Sequence, residues 1–136
     1  MGRTRPARPP RRSRLRRATC AALALLPAIA GPGWAATYVD KRTAELQGLD
    51  KITARTWTLD APVGQPVRFG TLEIRVEACK KRPPEEPPEN AAFMTIVDHR
   101  PDQHPVEVFR GWMFASRPGL SPLEHPVYDI VVLECE

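Results

Sequence analysis

The amino-acid sequence predicts a small all-β domain, a sandwich or a partly open barrel, with one disulfide and a preceding signal peptide. Five segments are rich in β-branched and aromatic residues and are separated by short, Pro- and Gly-rich connections. No long amphipathic pattern indicates a helix. An Arg-rich leader and two further cysteines complete the pattern, which is typical of an exported β domain.

The first 35 residues have the order of a secretory signal. They contain eight Arg and no acid, whereas the remainder has 12 Lys and Arg against 16 Asp and Glu, a formal charge of −4. The apolar stretch Ala18–Ala30 is too short to cross a bilayer but suits the apolar region of a signal peptide. Small residues at Gly33 and Ala35 predict cleavage after Ala35, with cleavage after Ala36 as the alternative. We therefore expect a cleaved leader and a periplasmic domain.

The leader also bears on the export route and on partners. The pairs Arg11-Arg12 and Arg16-Arg17 suggest the twin-arginine route, but neither is followed by the apolar pair that this route favours. Sec export is therefore the preferred prediction. An uncleaved leader would be the only membrane contact, and the mature chain keeps no basic patch that argues for nucleic acid.

The two cysteines that remain after cleavage are Cys79 and Cys135. In an exported chain of about 100 residues, such a pair predicts one disulfide, with two free thiols as the alternative. The bridge would close a long loop, and the chain-entropy model gives it about 4 kcal/mol of stabilisation. A metal site would need more ligands than these two residues supply.

The strand candidates follow a polar segment at residues 36–50, which is expected to form a short helix or a loose N-terminal arm before a single β domain at 51–136. Ile52–Leu59 is rich in Thr and β-branched residues, and Val67–Cys79 alternates apolar and polar side chains, as a half-buried strand does. Val127–Cys135 is apolar on both sides, which predicts a central strand covered on both faces. The other two candidates are Ala91–Val97 and Val106–Ala115.

The segment Lys80–Asn90 (KKRPPEEPPEN) predicts a stiff, charged surface loop, because its paired prolines favour extended polyproline conformation. Stiff loops lose little entropy on docking. The segment is therefore either a solvated loop tip or a recognition segment for a periplasmic partner. The candidate binding residues are Pro83, Pro84, Glu85, Glu86, Pro87 and Pro88.

An aromatic run on the predicted Val106–Ala115 strand is the second candidate contact. Trp112 and Phe114 share one side of this strand, and Phe109 and Met113 share the other. One set is expected to fill the core, whereas the other, next to Arg110, would mark a protein or ligand contact if it is exposed. The candidate binding residues are Arg110, Trp112 and Phe114.

Two further groups carry weaker signals. The segment Asp98–His104 holds two His and two Asp, but its spacing matches no helical ligand pair, so a solvated turn is preferred over a metal site. Ser121, His125 and Asp129 are the residue types of a hydrolase triad, but no G-x-S-x-G turn accompanies them. We therefore assign no catalytic or metal-binding residue and expect no cofactor.

Two long segments resemble the domain-of-unknown-function family 2155, small exported proteins found mainly in alphaproteobacteria. One is Cys79–Phe93, and the other runs through Gly111–Ser116 and resumes at Leu123–Asp129. The resemblance extends from about Leu49 to Cys135 and so covers nearly all of the mature chain. It implies a signal peptide, one periplasmic domain and the same cysteine pair, and it offers no catalytic residues to carry over.

Three functions are therefore expected, in decreasing order of preference. The first is a non-catalytic periplasmic module that contacts an envelope protein or complex, with its oligomeric state left open. The second is a carrier of a small ligand or lipid inside a β-barrel, motivated by the apolar segments Ala91–Val97 and Val127–Leu133. The third is a hydrolase that uses Ser121, His125 and Asp129.

Overall fold

The structure is a computed structural model, and it describes Gly2 and residues 36–136. The predicted signal peptide and its export route fall on residues outside this described part. Residues 36–136 form eight β-strands, and no helix among the described residues has the length and apolar character needed to span a membrane. The strands are β1 (Val39–Lys41), β2 (Thr43–Asp50), β3 (Arg55–Pro62), β4 (Pro66–Phe69), β5 (Leu72–Lys81), β6 (Asn90–Asp98), β7 (Val106–Phe114) and β8 (Tyr128–Cys135).

The strands form two antiparallel sheets, which confirms the prediction of an all-β domain. The five-stranded sheet has the order β1-β5-β6-β7, with β4 also paired to β5, and the three-stranded sheet has the order β3-β2-β8. The two sheets do not close into a barrel, so of the two predicted architectures the open two-sheet arrangement is the one formed. Their inner faces share one apolar cluster.

The core consists of alternate residues from both sheets. On β5, Leu72, Ile74 and Val76 are fully buried, while the alternate residues Arg75 and Glu77 are exposed. This is the alternation that the sequence shows for a half-buried strand. The fully buried partners of these residues are Leu46 of β2, Met94 and Ile96 of β6, and Ile130 of β8.

Residues 36–50 do not form the helix or loose arm that we expected from their polar composition. They form β1 and β2, and β2 is the central strand of the three-stranded sheet, paired to both β3 and β8. Small or apolar residues at Ala44 and Leu46 fill the core side of β2. At Gly48 a Cβ would lie 2.7 Å from the Phe69 ring, so glycine is required there. The sequence of a central strand can look polar when its core side consists largely of small residues.

The last strand is also placed differently from the prediction. β8 lies at the end of the three-stranded sheet rather than at its centre. Its pairing with β2 shifts at Glu45/Leu46, which leaves Leu133 as an extra residue, and this side chain is 38% exposed. β8 is therefore apolar on both sides without being covered on both, since Val131 and Leu133 lie outside the fully buried set.

Two predicted strands have different limits. The Val67–Cys79 segment is a hairpin of β4 and β5 rather than one strand, because Gly70 turns the chain with a φ of 58°. The Tyr128 ring occupies the place where a Cβ of Gly70 would lie. β3 begins at Arg55 rather than Ile52, since the Asp50 carboxylate accepts the Ile52 N–H at 2.8 Å and starts a turn.

The predicted disulfide is confirmed. Cys79 of β5 and Cys135 of β8 are bonded, with their Cα atoms 5.7 Å apart. Both residues are buried in the core. The bridge therefore links the two sheets covalently.

Candidate functional site: the proline-rich loop and the aromatic face

The structure brings the two predicted binding segments together at one end of the five-stranded sheet. The proline-rich loop, residues 82–89, leads from β5 to β6. The end of β7 pairs with the start of β6, so Phe114 lies opposite Ala91. The Ala115 N–H donates to the Asn90 carbonyl at 2.8 Å. The loop and the aromatic run are thus parts of one continuous end of the domain.

The first half of the proline-rich loop is a compact turn, so the expectation of an extended polyproline conformation is wrong for Pro83–Glu86. The Glu86 N–H donates to the Pro83 carbonyl at 3.0 Å, which places Pro84 at the second position of a four-residue turn, a position that proline favours. The Arg82 N–H donates to the Glu89 carbonyl at 3.0 Å and closes the base of the loop. The exposed residues of the loop are Pro84, Glu85, Pro87 and Pro88.

Glu89 fastens this loop to the end of β7. Its carboxylate accepts the Asn90 N–H at 3.0 Å, the Ser116 N–H at 3.2 Å and the Ser116 hydroxyl. Burial by itself would raise the pKa of Glu89, but these hydrogen bonds and the Arg82 charge outweigh it and lower the pKa. The charged carboxylate is therefore the form that holds the loop.

Three half-buried aromatic side chains lie on the side of the five-stranded sheet that faces away from the core. The Trp112 and Phe93 rings meet edge to face, with centroids 5.5 Å apart. Phe114 follows two residues after Trp112 and so lies on the same side, whereas Met113 is buried in the core. We call Phe93, Trp112 and Phe114 the aromatic face.

Arg110 lies on the same side of β7 as the aromatic face, with its side chain 59% exposed and one guanidinium nitrogen 3.9 Å from a Glu107 carboxylate oxygen. Phe109 packs against the core cluster. Of the two sets of side chains on this strand, Trp112 and Phe114 are thus the set that is not part of the core cluster.

A cavity of about 450 Å³ lies between the proline-rich loop and β1. It is lined by Val39 and Lys41 of β1, by Lys81 and Asn90 of the neighbouring strands, and by Arg82, Pro83, Pro84, Glu86, Pro88 and Glu89 of the loop. None of these residues belongs to the core cluster. The cavity is therefore a surface feature of this end of the domain.

A buried polar network lies at the opposite end of β6. The Nε2 atom of His125 is 3.0 Å from the Asp98 carboxylate, and its Nδ1 atom accepts the N–H groups of Val127 at 3.1 Å and Tyr128 at 3.0 Å. An Nδ1 that accepts two N–H groups carries no proton, so Nε2 carries it and donates to Asp98. The Tyr128 ring stacks on the imidazole, with centroids 5.4 Å apart.

Asp98 is ionised in this network. Burial would raise its pKa, but hydrogen bonds from the Thr71 hydroxyl, His125 Nε2 and Arg100 Nε outweigh burial and lower the pKa to about 2. The Arg100 Nε atom lies 2.6 Å from the carboxylate. The network thus fixes a charge inside the domain by surrounding it with donors.

The structure does not assemble the sequence-suggested triad of Ser121, His125 and Asp129. Both ring nitrogens of His125 are engaged, one by Asp98 and the other by backbone N–H groups. Asp129 instead accepts the N–H of Ile130 at 3.0 Å. His125 therefore has no free nitrogen with which to take a proton from a serine hydroxyl.

The Asp98–His104 segment likewise does not gather metal ligands. Asp98 is engaged in the buried network, and His99 Nε2 lies 3.6 Å from a Glu73 carboxylate oxygen. Within residues 36–136, one group of three acidic side chains has ligand atoms within 4.8 Å of one another. These are Glu45, Glu134 and Glu136, and Glu134 is already bonded to Lys81.

Comparison with known proteins identifies the family. Residues 44–135 match the family described as "Uncharacterized protein conserved in bacteria (DUF2155)". The chain belongs to the DUF2155 family. An uncharacterized protein of Rickettsia prowazekii (strain Madrid E) is similar, with 30% identity over 102 residues that cover 75% of this chain and 66% of that protein. The chain thus spans slightly less than two thirds of this relative's length. No solved structure matches the chain.

The DUF2155 match covers β2 to β8, including both cysteines, the proline-rich loop and the aromatic face. β1, with Val39 on the wall of the cavity, precedes the matched range. The resemblance found in the sequence is therefore confirmed, and the family description names no activity, ligand or partner.

Sequence reasoning missed the residues that hold this end of the DUF2155 domain in place. Glu89 reads as one more charge in a charged loop, although it is buried and accepts three hydrogen bonds. The pairing of Asp98 with His125 joins residues 27 apart in the chain. The one feature of the sequence that could have indicated them is that Glu89 and Asp98 lie at the two ends of an apolar strand.

Proposed function

We propose that this protein is an exported, non-catalytic interaction module of the cell envelope, and that it binds a partner protein with its proline-rich loop and aromatic face. The main observation that supports this proposal is that the loop and the aromatic face lie together at one rigid end of the domain. Aromatic and Arg side chains in such positions are enriched at protein contacts.

Rigidity supports the proposal because a loop that is already ordered loses little entropy on binding. The loop is closed by the Arg82–Glu89 backbone hydrogen bond and fastened to Ser116 through the Glu89 carboxylate. The neighbouring disulfide ties β5 to β8. A turn held at so many points presents its exposed proline and glutamate side chains in one conformation.

Export is supported by the leader and by the disulfide, because disulfides persist in oxidising compartments. The absence of a free imidazole nitrogen at His125 argues for a binding role over hydrolysis. A carrier that encloses its ligand inside a barrel finds no support in the described residues, because the sheets do not close and the cavity beside the proline-rich loop is lined by no residue of the core cluster.

The test is cross-linking capture in living host cells that express the full gene with a C-terminal affinity tag. We expect one specific partner, and we expect its recovery to fall at least about fivefold with Trp112→Ala and with the Glu85→Lys/Glu86→Lys double variant, since anchor truncations in interfaces cost more than 1 kcal/mol. Trp57→Ala is the matched control. Trp57 is 44% exposed and lies on the three-stranded sheet.

The control variant is expected to retain the partner. Recovery of the same partner at wild-type level with both test variants, or the absence of any specific partner, would overturn the proposal. Melting curves of each variant show whether a loss of capture comes from unfolding, because a folded variant that loses its partner reports on the surface alone.

A further inference from the structure

We propose that the cavity between the proline-rich loop and β1 is a binding site for a carboxylate carried on a small apolar group. The cavity volume of about 450 Å³ lies within the range of small-ligand sites. Such sites combine apolar walls with a few placed polar groups. This cavity has both.

The apolar walls are preformed. Val39 of β1 forms one side, and Pro83, Pro84 and Pro88 form the other. Proline side chains are fixed by their rings, and the turn that carries them is closed by hydrogen bonds. An apolar group that enters the cavity therefore buries surface without the cost of ordering the walls.

Arg82 supplies the polar group that specifies the ligand. Its Nε atom is buried and has no hydrogen-bond partner among the described residues, although the residue lines the cavity. Its guanidinium carbon lies 5.4 Å from the centroid of the Tyr38 ring, and its Nε atom is 4.0 Å from a Glu86 oxygen, beyond hydrogen-bond distance. A buried donor without an acceptor is costly. The Arg82 side chain as a whole is 28% exposed, so the guanidinium group is the part that a ligand carboxylate would meet.

The other charges at the cavity also favour an anion. Lys41 and Lys81 line it together with Arg82, and Lys41 forms no ion pair with the described residues. The Glu89 carboxylate accepts hydrogen bonds from Ser116. Glu86 accepts the Thr37 N–H at 3.2 Å. Lys41 thus makes no direct ion pair within residues 36–136, although its charge lowers the pKa of Glu134, and the carboxylates that line the cavity accept hydrogen bonds from the protein.

Two sources present this chemistry: an acidic side chain within a peptide, and the terminal carboxylate of a peptide or amino acid. The inference extends the proposed function, because the cavity is formed by the same loop. It also makes a separate claim, since β1 supplies a wall that the aromatic face does not contact.

The experiment titrates four probes into isotope-labelled protein produced from the full gene and follows binding by NMR. N-acetyl-leucine carries a terminal carboxylate, and N-acetyl-leucinamide is its neutral twin. N-acetyl-Leu-Glu-amide carries a side-chain carboxylate, and N-acetyl-Leu-Gln-amide is its neutral twin. We expect at least one acid to bind about tenfold or more tightly than its twin and to shift the Arg82 Nε–H and Val39 amide signals, since charge-assisted hydrogen bonds are the stronger kind. The acid that binds identifies the source.

Variants then assign the effect to Arg82. Arg82→Gln removes the charge, and Arg82→Lys keeps a charge but removes the Nε–H fork, so both are expected to weaken acid binding about tenfold. Arg110→Gln is the matched control and is expected to bind as the wild type does, because Arg110 is on β7, at the opposite edge of the five-stranded sheet from β1. If Arg82→Gln fails to fold, the wild-type Arg82 Nε–H signal decides by itself.

Equal binding of acids and neutral twins, acid binding that survives Arg82→Gln, or no shift at Arg82 and Val39 would each overturn the inference. The two proposals fail separately. Acid binding without any captured partner would support the cavity and remove the interaction module, whereas a captured partner without acid binding would remove only the cavity.

Discussion

The two ends of β6 are each fixed by a buried carboxylate, but they differ in which side chains remain exposed. A buried carboxylate lies at each end, Glu89 at the start and Asp98 at the finish, and each holds one end of the connection between β7 and β8. Glu89 holds Ser116, and Asp98 holds His125. The connection thus crosses from one sheet to the other between two fixed points, with Leu123 buried between them.

The difference lies in what remains exposed. At the Asp98 end, the polar groups of the network hydrogen-bond to one another, and both imidazole nitrogens of His125 are engaged, so neither is free to transfer a proton. At the Glu89 end, the disulfide and the carboxylate fix the backbone and leave loop side chains, aromatic rings and a cavity available. The buried polar cluster is therefore satisfied within the fold, whereas the exposed end is the one that we propose as a binding surface.

Reduction of the disulfide, which lies at the Glu89 end of β6, is expected to have the largest effect on stability. Reduction of Cys79–Cys135, which closes a loop with a sequence separation of 56, should lower the free energy of unfolding by about 4 kcal/mol. The melting temperature should fall by about 20 °C for a domain of this size. Scanning calorimetry with and without reductant measures it. A Cys79→Ala/Cys135→Ala variant should show no response to reductant, and an unchanged melting temperature of the wild type would contradict the assignment.

Removing the imidazole tests the other end. His125→Ala takes one donor from the buried Asp98 carboxylate and the shared acceptor from two backbone N–H groups. We expect a loss of about 3 kcal/mol in urea unfolding, since buried charges and donors left without partners are costly. His104→Ala is the matched control, because His104 is exposed, and it should stay within about 0.5 kcal/mol of the wild type. Equal stability of the two variants would show that the network is not structural.

Acid titration of the Asp98 end is expected to give the smallest of the three effects on stability. The folded pKa of Asp98 is lowered from 3.8 to about 2, so its contribution is complete above pH 4 and is lost as the pH falls toward 2. The shift corresponds to about 2 kcal/mol. Asp98→Asn should flatten the stability profile in this window, whereas Asp102→Asn, an exposed Asp on the loop that follows β6, should keep the wild-type slope. Parallel profiles for the wild type and Asp98→Asn would contradict the assignment.

Local patterns were sufficient for much of the fold and for part of the site. The alternation on β5 predicts its buried side, and the limits of the β6 and β7 candidates differ from those of the observed strands by at most one residue at each end. The place of β2 at the centre of a sheet could not be predicted, because its packing depends on Phe69 lying against Gly48 from a distant strand. The compact turn at Pro83–Glu86 was missed because paired prolines favour an extended chain unless the ends of the loop are tied together.

The sequence by itself determined the β class, the disulfide pair, the family and the two segments proposed as binding surface, since composition, alternation and motif are local properties. The tertiary structure alone decided that those segments share one end of the domain, that Arg82 lines a cavity and has a buried Nε atom without an acceptor among the described residues, and that His125 bonds to Asp98. The reason is physical. Strand register and sheet order bring residues such as Glu89 and Ser116, 27 apart, to hydrogen-bond distance, and no local pattern encodes that pairing.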